Sequence, residues 1–388
     1  MDRRQFMATA KALGLGAVAT GLFSGCAHSA RASDDVGKVI IVGAGAAGLT
    51  TAYLLKQLGV PFEVVEASAG YGGRMKRSDD FVGFPVPLGA EWIHVKTDIL
   101  TDIVNDPTVT LDVPTVQYDR AVDYALYEGM RLSMRDIGFE VESKFVGATW
   151  FDFYERYIVP SVADHIRYDT VVSAIDYTSD RVTVTSSQGD YVGDRVVVTV
   201  PVKQLQRGAI RFEPPLPRRK QKAIDQVRVW DGCKAFIQFR ERFYPAAVAF
   251  EIVPETAGQK LYYDAAYGQR TGEQVLGLFA VGTGTKPYVD LDDEALIAYM
   301  LDELDALFEG KATPNYIQHT FQNWNTEPFI EGAYVVSHES WRRVRTLGKR
   351  VGERVYFAGT AYTDGEDWSS VHTAARSAER AVRDMLSV

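Results

Sequence analysis

The sequence predicts an α/β fold with more than one hydrophobic core, and three observations predict it. A β-branched run near the N-terminus leads through a glycine-rich loop into a helix-forming stretch and a second apolar strand. Alternating apolar runs bounded by turn residues recur farther along, and a helical stretch rich in small residues lies near the C-terminus. The chain has 388 residues, 46% of them hydrophobic, which is enough to bury two cores. The formal net charge is −9, and Arg3, Arg4 and Lys11 against Asp2 leave the rest of the chain more acidic still. Clustered Lys and Arg of the kind that grip a phosphate backbone are not displayed, so the reading is no nucleic acid. An acidic body is compatible with a cationic partner.

Residues 1–33 read as an export signal and linker. Arg3-Arg4-Gln5-Phe6-Met7 precedes an apolar, Gly/Ala-rich run over residues 12–23 and resembles the twin-arginine signal that exports proteins already folded around a cofactor. That run is shorter than the ~20 apolar residues needed to span a bilayer, which argues against an uncleaved anchor. Leu22-Phe23-Ser24-Gly25-Cys26 resembles a degenerate lipobox, in which Cys26 becomes a lipidated N-terminus; simple cleavage near Ala30 is the alternative. The expected location is the periplasm, free or as a membrane-anchored lipoprotein. Only Cys233 would remain in the folded body, so a disulfide framework is excluded.

Lys38-Val39-Ile40-Ile41-Val42 has the composition of a strand buried on both faces. It runs into Gly43-Ala44-Gly45-Ala46-Ala47-Gly48, a helical stretch to Gly59, and a second strand over residues 61–65 that ends at Glu66. In such a Rossmann-type βαβ unit, Gly43 permits the tight turn, Gly45 lets the backbone approach a pyrophosphate, and Gly48 lets helix and strand pack closely. The phosphates meet the positive helix N-terminus, and Glu66 is placed to accept from ribose hydroxyls. Shortly after Glu66-Ala67 comes Gly70-Tyr71-Gly72-Gly73-Arg74, in which two glycines let the backbone curl over a pyrophosphate and the Arg neutralises it.

These strings resemble the flavin-containing amine oxidase family, which includes monoamine oxidases, polyamine oxidases, L-amino-acid oxidases and flavin histone demethylases. The resemblance continues in family order. Leu88-Gly89-Ala90-Glu91-Trp92-Ile93-His94 is similar to the segment that runs beneath the flavin, with His94 facing the substrate cavity. Val172 matches the residue whose backbone meets adenine, and the strands around residues 181–185 and 195–201 match the second contribution to the cofactor domain. Ile210-Arg211-Phe212-Glu213-Pro214-Pro215-Leu216-Pro217 resembles the family linker, and its prolines bar a helix. Lys234, in an apolar alternating run, falls where many members place a lysine that holds a water at flavin N5. A buried ammonium needs a partner; a solvent-facing lysine on an edge strand is the alternative. Trp324 and Gly332-Ala333-Tyr334 match a segment whose Tyr walls an aromatic cage, and Ala333 in place of the covalently linking Cys implies non-covalent FAD. Gly359-Thr360 and the run Trp368-Ser369-Ser370-Val371-His372 match the strand end and helix N-terminus at the flavin.

The resemblance implies an α/β architecture in which a Rossmann-type, glutathione-reductase-like FAD-binding domain is built from residues 36–94, 161–230 and 340–388. An α+β substrate domain with a mixed sheet takes residues 95–160 and 231–339. It also implies hydride transfer from the carbon alpha to an amine onto flavin N5, giving an imine that water hydrolyses, and reoxidation by O2 to hydrogen peroxide. Lys234, Tyr334, His94 and Trp368 are the residues implied to act on the amine. Three departures qualify this. Thr360 and Ala361 stand where the family has a Glu toward the ribityl diphosphate. Thr373 and Ala378 replace glycines of the final helix, which implies a narrowed or shifted flavin space. The segment between His94 and Val171 is short, so the substrate domain is expected to be shortened and its cavity open or closed by a second subunit, in a homo-oligomer or with a partner. The rival readings are a flavin desaturase or isomerase acting on an apolar substrate, and a non-catalytic FAD-binding partner protein.

Overall fold

The computed structural model describes residues 36–254, 257–336, 341–364 and 369–387. Residues 1–33, expected to form the export signal and linker, with Cys26, and Trp368 therefore lie outside the described residues. A five-stranded parallel sheet is ordered Val355–Phe357, Arg195–Val198, Val39–Val42 (β1), Phe62–Val65 (β2), Ile166–Arg167. β1 is buried along its whole length because both faces are covered. Val39 and Ile41 face the helix Ala46–Gln57 (α1) and the C-terminal helix Val371–Leu386 (α2), whereas Ile40 and Val42 face the opposite layer. Ala374, Ala375 and Ala378 of α2 are small and fully buried, and that lets α2 lie directly on α1.

The opposite layer is a four-stranded sheet ordered Gly189–Gly193, Val182–Ser186, Val172–Asp176, Arg211–Glu213. The proline-rich linker thus contributes a short parallel strand beside Val172–Asp176 before a helix begins at Arg218. Barring a helix left extended backbone, and a neighbouring strand was free to pair with it.

A seven-stranded mixed sheet forms the other half. Its order is Tyr316–Asn323, Gly232–Phe239 (β3), Gln274–Gly282, Gly258–Asp264, Ala247–Phe250, Tyr124–Glu128, Arg131–Met134. One face is sealed by the helix Asp293–Leu307 through Leu296, Met300 and Leu304. The other carries Phe236 and Tyr263, which pack with Trp92 against the cofactor half. Between residues 95 and 160 the chain adds the hairpin Tyr124–Glu128/Arg131–Met134 to this sheet, a ribbon pairing Thr115–Gln117 with Ser143–Phe145, and two short helices. No helix among the described residues is long and apolar enough to cross a membrane.

Candidate functional site

A cleft of about 2330 Å³ runs between the carboxyl ends of the parallel strands and the inner face of the seven-stranded sheet. That is the usual ligand crevice of an open α/β sheet. At its nucleotide end the glycines divide into two kinds. A Cβ on Gly48 would sit 1.9 Å from the Gly43 carbonyl oxygen, so no side chain fits; Gly45 has nothing within 4 Å and presents bare backbone to the cleft. α1 starts at Gly45 with no side-chain cap and no acidic residue in its first turn, which leaves N–H groups and positive potential for an anion. The Gly72-Gly73 curl is held beside this loop by Gly72 N donating to Ala44 O at 2.9 Å, with both glycines at positive φ. Glu66 accepts from Ala44 N at 2.6 Å and Ser68 N at 2.9 Å, which fixes its carboxylate on the cleft wall. Ala46, Ala47, Ala67 and Val172 line the same end.

Arg74 joins separated parts of the chain. Its guanidinium donates to Ala333 O and, at 3.0 Å, to Thr360 Oγ1. Burial lowers its pKa to about 10, which keeps it cationic at neutral pH. Gly89 is required by packing, because a Cβ there would meet Arg74 O at 2.0 Å and the Trp324 ring at 2.9 Å. Trp324 is tied in turn by Nε1 donating to Leu88 O at 3.0 Å. The N-terminus of α2 brings Ser370 and Val371 to the cleft, near Gly359 and Thr360. Ser370 and Thr373 form a capping box there. Thr373 is buried in that cap and Ala378 faces α1; neither lines the cleft. The narrowing expected from these two replacements is therefore not found: the helix turns both side chains away from the cleft.

At the other end β3 is an interior strand, so Lys234 is not an edge lysine facing solvent. It is 2% exposed, lines the cleft, and donates to Glu91 Oε2 at 2.6 Å and Pro87 O at 3.1 Å. Ala90 and Trp92 line the cleft beside Glu91, and Trp92 packs edge-on to Tyr263 and Phe279 with centroids 4.9 and 5.5 Å apart. Tyr334 lines the cleft edge-on to Trp230 at 5.6 Å, and burial raises its hydroxyl pKa. His94 is exposed toward the cleft with Nδ1 2.6 Å from Glu142 Oε2, and its ring lies 6.3 Å from that of His372. Burial first, then His94 and Arg376, drives the His372 pKa down to about 3, so that ring is neutral.

The structure thus brings Lys234, Tyr334, His94 and the described cofactor-binding candidates to one cleft, except Gly48, which packs against the Gly43 carbonyl and does not line the cleft. It adds Glu142, Lys144 and Tyr263, which the sequence reading missed. Tyr263 donates to Glu91 Oε2, and Lys144 lies 3.3 Å from Glu91 Oε1. Lys144 sits in the strand Ser143–Phe145, whose Ser-Lys-Phe sequence has none of the alternating apolar pattern that marked Lys234. An open glycine loop, an uncapped helix N-terminus, an acceptor at the end of β2 and a buried cation between them fit FAD.

The description "Flavin containing amine oxidoreductase" matches residues 154–386, and "NAD(P)-binding Rossmann-like domain" matches residues 41–106. The chain is 25% identical to lysine-specific histone demethylase 1B of Mus musculus over 83% of this chain and 50% of that protein. It is 23% identical to probable polyamine oxidase 4 of Arabidopsis thaliana over 87% of this chain and 84% of that one. The chain spans about half the length of the demethylases it matches over most of its own length. A redesigned putrescine oxidase has the same fold, with a TM-score of 0.75 at 16% identity over 90% of this chain and 99% of that one. Matched over more than half its length, from the second half of the nucleotide crevice to α2, the chain belongs to the flavin-containing amine oxidoreductase family.

Proposed function

We propose that this chain is an FAD-dependent oxidase of amines, releasing an imine that water hydrolyses and, with O2, hydrogen peroxide. One observation carries the reading: a single cleft joins the Gly43–Gly48 loop and Arg74 to Lys234, Tyr334 and His94. The names of its relatives, polyamine oxidase and histone demethylase among them, support an amine as the substrate class. When bound, FAD supplies the acceptor for the hydride lost from the carbon alpha to the amine. The loop N–H groups, Glu66 and Arg74 hold the dinucleotide, without a covalent bond because Ala333 offers no nucleophile. Lys234 presents an ammonium donor on the cleft wall. Tyr334 and Trp230 form an aromatic wall that excludes water and accommodates an amine. Glu142 on Nδ1 orients His94 so that its Nε2 is available to take a proton from the incoming ammonium.

The same proposal places FAD binding in residues 36–94, 161–230 and 340–388, and substrate binding in residues 95–160 and 231–339. Export by the twin-arginine signal, with Cys26 lipidated or cleavage near Ala30, follows from the sequence. The cleft is then open in the mature protein or closed by a second subunit. Purified protein should be yellow, and anaerobic addition of monoamines, polyamines and amino acids should bleach it with at least one of them. Readmitted air should restore the colour with one peroxide per bleaching. A yellow protein unmoved by every amine would favour a desaturase or a non-catalytic flavin carrier.

A further inference from the structure

Three buried charges meet at the cleft wall, and the proposed chemistry uses only one of them. Glu91 Oε2 accepts from Lys234 Nζ and from the Tyr263 hydroxyl, while Oε1 faces Lys144 Nζ. Glu91, Lys144 and Lys234 are each at most 5% exposed. Lys144 Nζ is also anchored on Ala265 O at 2.6 Å. Removing such ions from water is costly, and a lysine left alone there would shed its proton. Here the carboxylate lies between the two lysines and pairs with each, one oxygen to Lys234 and the other toward Lys144. Lys234 has three N–H donors; Glu91 and Pro87 take two, which leaves one on a side chain that lines the cleft. The rings of Trp92, Phe236 and Tyr263 surround the ammonium at 5.0, 5.4 and 5.5 Å.

We propose that Glu91, itself held by Lys144, is a positioning residue that locks Lys234 as a fixed ammonium. Lys234 then works in the cleft as a hydrogen-bond donor and a positive charge, and never as a proton acceptor. The inference rests on the FAD reading above, since it concerns what Lys234 presents to that cofactor and its substrate. The neighbouring groups are consistent with it. Burial lowers the Lys234 pKa by more than Glu91 raises it, so its net shift is downward; burial raises the Glu91 pKa, but the two lysines outweigh that and its net shift is downward too. Tyr263 and Tyr118 face the cluster as neutral hydroxyls with pKa values raised by burial. Asp264, behind Tyr263, is engaged by Arg242 Nη1 at 2.9 Å.

The test is Glu91→Gln, which keeps a hydrogen-bond acceptor but removes the charge. It is read first without turnover, by titrating the visible flavin spectrum of the oxidised holoprotein with pH. Glu91→Gln should show a lysine-linked transition at clearly lower pH than any that wild type shows. The double variant Glu91→Gln/Lys234→Met should lose it. Below that transition Glu91→Gln should reduce its flavin several-fold faster than Lys234→Met, and above it at a rate within about twofold of Lys234→Met. A yellow Glu91→Gln protein with wild-type spectra and a pH-independent rate ratio would overturn the inference. If Glu91→Gln does not fold, Glu91→Asp, which retracts the carboxylate by one methylene, carries the same test. A transition moved toward neutrality supports the proposal, and an unmoved one contradicts it. A colourless wild-type protein would instead overturn the FAD reading.

Discussion

The two ends of the cleft are built by different means. At the nucleotide end the backbone does the recognition: a loop without side chains, an uncapped helix start and two glycines at positive φ. At the substrate end the backbone is ordinary sheet, and side chains from distant segments meet, with Lys234 and Glu91 separated by 143 positions. The first kind of site tolerates no added atom at certain positions; the second tolerates no lost charge.

The largest effect should come from adding one carbon at the nucleotide end. Gly48→Ala drives a methyl into the Gly43 carbonyl, and a loss of about 3 kcal/mol or more is expected, seen as poor soluble yield and no bound flavin. Gly45→Ala sharpens the contrast, because its φ of −78° suits alanine and its surroundings are open. The apoprotein melting temperature should hold while FAD affinity falls about tenfold, worth about 1.4 kcal/mol. Equal damage from both would mean that Gly45 is structural.

At the substrate end, Glu91→Gln should cost about 3 kcal/mol in denaturant unfolding at neutral pH, because it strands Lys234 and Lys144 without a compensating charge. A neutral result would show that the cluster is wetter than its burial indicates. His372 joins the two ends and gives a pH test. Its folded pKa of about 3 lies below the ordinary 6.5, so between those values the unfolded chain binds a proton that the folded chain refuses. Its contribution is complete above about pH 6.5 and falls by about 1.4 kcal/mol per unit toward pH 3, or about 2 kcal/mol by pH 5. His372→Gln should flatten the stability curve below pH 6.5 by that amount. An unchanged slope would place the ring in water. The smallest effects concern the caps. Thr149 caps the helix Trp150–Tyr157 as Ser370 caps α2; Thr149→Ala and Ser370→Ala should each lose about 1 kcal/mol, but only Ser370→Ala should also weaken FAD retention.

The nucleotide end was legible in the sequence because its demands are local. The strand, loop, helix and acceptor are consecutive, and Gly48 answers to Gly43 five residues before it. Lys234 was half legible. An ammonium in an apolar strand announced that a partner existed, but the partner lay within a string already read as cofactor-binding. Glu142, Lys144 and Tyr263 carried no such pattern, since their meaning arises only when the ribbon and the sheet come together. Thr373 and Ala378 were misread for a related reason: residue type does not say which face of a helix meets the cofactor and which meets α1.

The central claim is that the Gly43–Gly48 loop, Arg74 and the start of α2 close on one FAD. Fluorescence titration of folded apoprotein with FAD tests it most directly, run beside Gly45→Ala and an Arg74→Ala variant checked by circular dichroism. The account predicts saturable quenching at one FAD per chain in the wild type and binding at least tenfold weaker in both variants. Native-like protein that takes up no FAD, or variants that bind it as well as wild type, would contradict it.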